Sequence, residues 1–282
     1  MKFNNVLLDI CRGYSTFVFD GRAIVIRHLS VIDSLGLSEL YKSSIEDFVK
    51  KGKKLEADLI KDLISSKVWD ASKETALTNL NEDIATLERK KRRIKEEIQI
   101  DGLYDSIEFL AKKRQKLIVE RNSLLHNTAE AYANKYCINY QLMNFCFVDN
   151  SFKEFAFTED YLEYLENYYE LIGLFLEKNT SISFDSLKNL CVSPFFRNIF
   201  SFSKSENFFG KSTMDMTYPQ LELLSCANCF SRAAIEHGDY PEEYAEFPEK
   251  ILMWAIFRRN GGVSIKEKQE KEQVELSQPI VK

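Results

Sequence analysis

Leu77-Thr-Asn-Leu80-Asn-Glu-Asp-Ile84-Ala-Thr-Leu87-Glu-Arg-Lys-Lys-Arg-Arg-Ile94-Lys-Glu-Glu-Ile98 is the most regular stretch of the chain. Its apolar residues recur at intervals of 3, 4, 3, 7 and 4, with Lys91 in the one seam position that is not apolar. That spacing keeps one stripe of a helix apolar and predicts a coiled-coil arm. A second seam follows at once: Leu103, Leu110, Leu117 and Leu124 repeat every seven residues, with Ile107 between the first two. Asp101-Gly102 separates the seams and supplies a residue suited to a turn. The spacing predicts an antiparallel αα-hairpin with arms over 71–100 and 103–125 or beyond, each projecting on the order of 35–45 Å.

Working outward, the stretch before the arms opens with the clearest β signal. Ser15-Thr-Phe-Val-Phe19 is β-branched and aromatic, Asp20-Gly21 suits a type I′ turn, and Ala23-Ile-Val-Ile-Arg27 returns. A lone two-stranded hairpin is marginal in water, so it must pack on a helix or pair with another strand. Ser30 and Asp33 form a capping-box-like helix start, and the helix runs to Lys50 before Gly52. A further helix spans Leu55 to Trp69.

Beyond the arms, the second helix is expected to run on through Ala129–Tyr136 towards Phe147. An aromatic helical body follows. Thr158 caps a helix carrying Tyr161, Leu162, Leu165, Tyr168, Tyr169 and Ile172, and Ser193-Pro194, Thr217-Tyr218-Pro219 and Pro248 open three more. From Val263 the chain is rich in Lys, Glu and Gln and reads as disordered. The expected organisation is a β-hairpin with helices over 1–70, a coiled-coil hairpin over 71–127, a helical body over 128–262 and a tail over 263–282. The fold class is mainly α: a small N-terminal β-hairpin, a long antiparallel coiled-coil αα-hairpin and an aromatic-rich helical C-terminal body. The 10 Gly and 5 Pro in 282 residues are too few for a many-turned β sandwich.

Chemistry-bearing motifs are sparse. The three histidines, His28, His126 and His237, lie in separate elements, and no HExxH, P-loop, GxSxG or GxGxxG occurs. Cys226-Ala-Asn-Cys229 falls inside a predicted helix, away from the positive helix end a redox pair needs, and lacks two further ligands at zinc spacing. It reads as small residues on a packed face. The acidic pairs Glu82-Asp83, Glu159-Asp160 and Glu242-Glu243 suit helix starts and solvated faces. No catalytic residue, metal ligand or cofactor is predicted. No run of about 18 apolar residues exists, and the N-terminus lacks an export-signal pattern, so a cytoplasmic protein with reduced thiols and no membrane partner is expected.

Charge is more informative. The net charge is −5. Between Glu88 and Arg121 there are 11 basic and 7 acidic residues, leaving the rest of the chain near −9. A turn at 101–102 sets residue 91 opposite 112 and 89 opposite 114, joining two basic bands into one collar. The collar residues Arg89, Lys90, Arg92, Arg93, Lys112, Lys113 and Arg114 are the predicted partner-binding set, suited to an acidic protein or to nucleic acid. A solvated coiled-coil face also carries such charge, and Glu88, Glu96, Glu97 and Glu108 lie near enough to pair with it. A second set, the strand-edge residues Phe17, Phe19, Ile24 and Ile26 with the aromatic loop residues Phe208 and Phe209, is the other candidate contact surface.

The stretch Gly21-Arg22-Ala-Ile-Val-Ile-Arg27-His-Leu-Ser30-Val-Ile-Asp33 resembles the start of tail-assembly chaperones and baseplate-hub assembly proteins of contractile-tailed bacteriophages, with His28 at the family's proline position and Ser30 at its threonine position. The segments Thr128-Ala-Glu-Ala-Tyr-Ala133, Ser193-Pro-Phe-Phe196, Phe208-Phe-Gly-Lys211 and Thr217-Tyr-Pro-Gln220 are similar to proteins of large tailed phages. The resemblance implies a non-enzymatic protein that binds other tail components during assembly in the host cytoplasm, with or without retention in the virion. It carries over no catalytic residue. A nucleic-acid-associated protein acting through the collar, and an enzyme whose site bears no motif, are the other readings.

Overall fold

The computed structural model describes residues 2–202, 208–237 and 240–269. In chain order its elements are α1 (Lys2–Arg12), β1 (Tyr14–Phe19), β2 (Arg22–Arg27), α2 (Val31–Lys50), α3 (Glu56–Ser65), α4 (Ala71–Lys91) and α5 (Ile98–Asn122). Then come α6 (Ala129–Phe145), β3 (Cys146–Phe147), α7 (Glu159–Glu163), α8 (Tyr168–Ser181), α9 (Phe184–Val192), α10 (Pro194–Phe202), α11 (Tyr218–His237) and α12 (Pro248–Arg259). The fold is mainly α with one small antiparallel sheet, as the sequence predicts. The described residues form two compact units, one within 1–68 and 122–228, the other within 69–121 and 229–269.

The first unit is built on the β-hairpin. Asp20 and Gly21 take φ of 47° and 70°, the left-handed pair of a two-residue turn, and set Phe19 opposite Arg22 and Phe17 opposite Ile24. The hairpin's partner is its own chain: β3 adds to β2, pairing Val25 with Phe147 and Ile26 with Cys146. Phe17, Phe19, Ile24 and Ile26 point inward, where Leu142, Cys146, Phe157, Leu162, Leu171 and Phe175 complete one apolar cluster. The capping box at α2 forms as predicted: Ser30 Oγ accepts from Asp33 N at 3.1 Å, and Asp33 Oδ2 accepts from Ser30 N at 2.9 Å.

Thr158 caps α7, but the helix expected to continue through Ile172 is two helices, α7 and α8. The reason is packing. Leu162 and Leu171 both enter the same cluster, and nine residues of uninterrupted helix would put them half a turn apart. The break over 164–167 turns both inward. The second arm also stops short of its expected run. α5 ends at Asn122, Leu125 is buried, and Thr128 Oγ1 accepts from Ala131 N at 3.2 Å to start α6 afresh.

The second unit contains the hairpin, and here the turn is relocated. The connection lies at 92–97, and Gly102 sits inside α5. Four interactions hold the connection there. Ile94 is buried, Asn260 Nδ2 donates to the carbonyls of Arg92 and Ile94 at 3.3 and 2.9 Å, and Lys91 Nζ meets Glu249 Oε2 at 2.8 Å. Asp101, expected in the turn, instead receives Lys250 Nζ at 2.7 Å. The arms are antiparallel: Lys73 pairs with Glu120, Glu74 with Arg121, and Asn81 with Arg114. At their base Trp69 Nε1 donates to Glu74 at 2.9 Å.

The segment from Val263 is not structureless where it is described. Ser264 and Glu267 form a capping box for a helical turn over 265–269, and Arg258 grips the Glu267 carboxylate with both Nη atoms at 2.6 and 3.0 Å. The Arg258 bonds hold that carboxyl down at about 2. The remainder of the expected tail, 270–282, lies outside the described residues.

Candidate interaction surface

The basic residues at 89–95 sit on the last turn of α4 and the connection that follows. Cations in a final helical turn face the negative end of the helix dipole, so local electrostatics favours them there. The last turn tightens, with Arg92 N and Arg93 N donating to the carbonyls of Arg89 and Lys90. Ile94 then turns inward, and the amides of Lys95 and Glu96 donate to Gln99 Oε1. This alternation divides the cations. Lys91 points inward and is consumed by Glu249 and Glu88. Arg89, Lys90, Arg92, Arg93 and Lys95 are exposed, and none has an acidic partner among the described residues.

The second basic band does not join them. The observed pairings place Lys112, Lys113 and Arg114 level with Asn81, Glu82 and Asp83, about nine residues, or ~14 Å, further down the hairpin than the first band. Lys112 is paired with Glu108 at 2.5 Å, and Arg114 Nη1 reaches Asn81 Oδ1 at 3.5 Å. The predicted single collar is therefore two separate bands, because the turn lies about seven residues earlier than Asp101-Gly102. Lys113 and Lys116 of the second band are exposed and also lack an acidic partner among the described residues, and the run at the turn is the denser of the two.

The second predicted contact set is internal. Phe17, Phe19, Ile24 and Ile26 are core residues, and the alternation along β1 leaves Thr16 and Val18 outward instead. Phe208 and Phe209 are half-buried. Phe208 packs on Phe196 and Phe200 with ring centroids 5.5 and 5.6 Å apart, and Phe209 meets Phe208 edge-on at 4.9 Å. Burial of their apolar area explains both changes, since an aromatic loop beside a Phe-rich helix gains by folding back on it. The rings left outward are Phe195 and Phe202 of α10.

The remaining chemistry-bearing residues take ordinary places. His28 is buried, and burial brings its pKa down to about 4. Its Nε2 lies 2.9 Å from Ser15 Oγ. Which of the two atoms donates follows the imidazole tautomer. Ser15 is 2% exposed and His28 is buried, so this is an interior hydrogen-bonded pair with no access for a substrate. His126 is exposed near Ser123 O, and the His237 side chain lies outside the described part. Cys226 is buried and Cys229 exposed within α11, and no group of three metal-ligating side chains occurs among the described residues. Burial pushes the Cys146 thiol up to about 12, an inert packed sulfur. No helix among the described residues is long and apolar enough to cross a membrane.

The chain matches no protein-family model, no curated protein and no solved structure.

Proposed function

We propose that this chain is a non-enzymatic assembly protein that engages an acidic surface of a protein partner through the basic turn between α4 and α5. One observation carries the reading. Within seven consecutive positions, five cations face solvent without an acidic partner among the described residues, while the sixth, Lys91, is spent on holding the turn. Like charges held close together repel, and a complementary anionic surface relieves that repulsion and speeds encounter. The molecule is acidic overall, which disfavours a polyanion away from its basic bands. The resemblance to tail-assembly and baseplate-hub proteins of contractile-tailed phages supplies the partner class: other tail components, met in the host cytoplasm.

The test is affinity capture of the tagged chain from its native cell context, with nuclease treatment, beside the triple variant Lys90→Glu, Arg92→Glu, Arg93→Glu. The expected result is a defined protein partner retained at low salt, released at high salt and lost by the variant. Nuclease-sensitive recovery of nucleic acid in its place, or a partner held equally by the variant, overturns the reading.

A further inference from the structure

We infer that the pocket beside the basic turn is a docking site for an acidic side chain flanked by apolar residues in a peptide segment of a protein partner. The inference rests on the proposed interaction role and names what the turn recognises.

The pocket has a volume of about 370 Å³ and is lined by Lys90, Arg93, Gln99, Gly102 and Leu103. The side-chain polar groups of its lining that stay uncommitted are all donors. Lys90 and Arg93 have no acidic partner among the described residues. The Gln99 carbonyl oxygen is occupied by the amides of Lys95 and Glu96, which leaves that side chain its donor nitrogen. The carbonyl of Lys90 is taken by Arg93 N, and that of Gly102 accepts from Ser106 Oγ at 2.7 Å. A site whose free side-chain groups are donors, two of them cationic, selects an anion.

Gly102 is the second observation. It stands inside a helix, where glycine is disfavoured, with neither a positive φ nor a close neighbour to require it. Its effect is to leave open the wall of the pocket that any side chain at that position would enter.

The third observation selects the surroundings of the anion. Ile98, Gly102 and Phe109 fall within about 40° of one another around α5. Ile98 and Phe109 are 72% and 66% exposed, and Leu103 lines the pocket itself. A carboxylate on a segment with apolar neighbours satisfies the donors and covers these side chains together. A nucleic-acid backbone offers anions but no aliphatic group for that face, so the acidic-apolar peptide is the better fit.

Fluorescence anisotropy tests this with the full chain and a fluorescein-labelled peptide Glu-Leu-Asp-Glu-Leu. Controls are the same peptide with Ser for Leu, the peptide with Gln and Asn for the acids, and a labelled single-stranded oligonucleotide. The expected result is saturable binding of the acidic-apolar peptide, weakened at least tenfold by either control substitution, by Arg93→Glu and by Gly102→Leu. Leucine is a better helix former than glycine, so Gly102→Leu keeps its helical circular dichroism while filling the pocket. If Gly102→Leu binds like the parent while Arg93→Glu does not, the pocket is not the site, though the basic-turn reading stands. If the parent ignores the peptide yet still captures its partner in a turn-dependent way, the acidic-apolar specificity falls alone. Preference for the oligonucleotide overturns both.

Discussion

Gly262 shows how much a single missing Cβ can decide. A methyl group there would overlap the Phe257 ring, which is fully buried and has nowhere to move. Gly262→Ala is therefore expected to destabilise the protein by roughly 2 kcal/mol, in the range of overpacked cores. Its neighbour Gly261 has open space but φ of 80°, so Gly261→Ala is expected to cost only about 1 kcal/mol. Denaturant melts of the two variants check the order, and a larger loss at 261 would contradict it. His28 makes a pH-dependent prediction. Its pKa is about 4 folded against 6.5 unfolded, so the unfolded chain binds more protons between those values. Stability is then full above pH 6.5 and is lost as pH falls towards 4, by on the order of 3 kcal/mol. His28→Gln, which keeps a hydrogen-bonding group for Ser15, is expected to flatten that part of the curve; an unchanged slope would assign the acid loss to other groups. Neither site is visible as special in the sequence, because a lone His and a Gly pair acquire their meaning from what surrounds them.

At the scale of elements, local capping was legible and helix breaks were not. Ser30 with Asp33, Thr158, Pro194 and Pro248 start their helices where the residue types predict, because a cap and its amide lie within three or four positions. The same logic applies to Ser264-Ile-Lys-Glu267, a capping-box signature embedded in a composition that resembles a solvated tail. α1 has only Leu7 and Ile10 at a helical spacing to mark it, too short a pattern to predict a helix. The hairpin turn differs from the sequence expectation because Asp101-Gly102 has turn chemistry, whereas the breaking segment 92–97 has none. Gly102→Ala tests the outcome. Inside a solvent-facing helix it is expected to raise stability by about 0.5–1 kcal/mol. In a turn needing positive φ it would lower stability, so a fall in the thermal midpoint would restore the turn to 101–102.

Across the whole molecule, the charge balance is uneven: −5 in total, with uncommitted positive charge densest at one turn. Exposed cations without acidic partners contribute little to folding beyond their interaction with the helix dipole, so the triple variant Lys90→Glu, Arg92→Glu, Arg93→Glu is expected to stay folded and to lose no more than about 1–2 kcal/mol. Its partner capture should vanish. For the parent, raising ionic strength from about 0.1 to 1 M shortens the screening length from about 10 to 3 Å, and capture is expected to fall steeply over that range. Capture indifferent to salt would place the contact on an apolar surface instead.

The sequence by itself determined the mainly helical class, the Asp20-Gly21 turn and most helix starts, because each depends on groups a few residues apart. It also located the basic residues at 89–93 that the interaction reading uses. Only the tertiary structure decided where the long hairpin turns, which cations remain free and which aromatic residues are core. Those outcomes depend on partners distant in the chain: Asn260 holding the Ile94 carbonyl, Glu249 drawing in Lys91, and Leu162 and Leu171 demanding the same interior. A periodic pattern states that a face will be buried, and the fold supplies the partner that buries it.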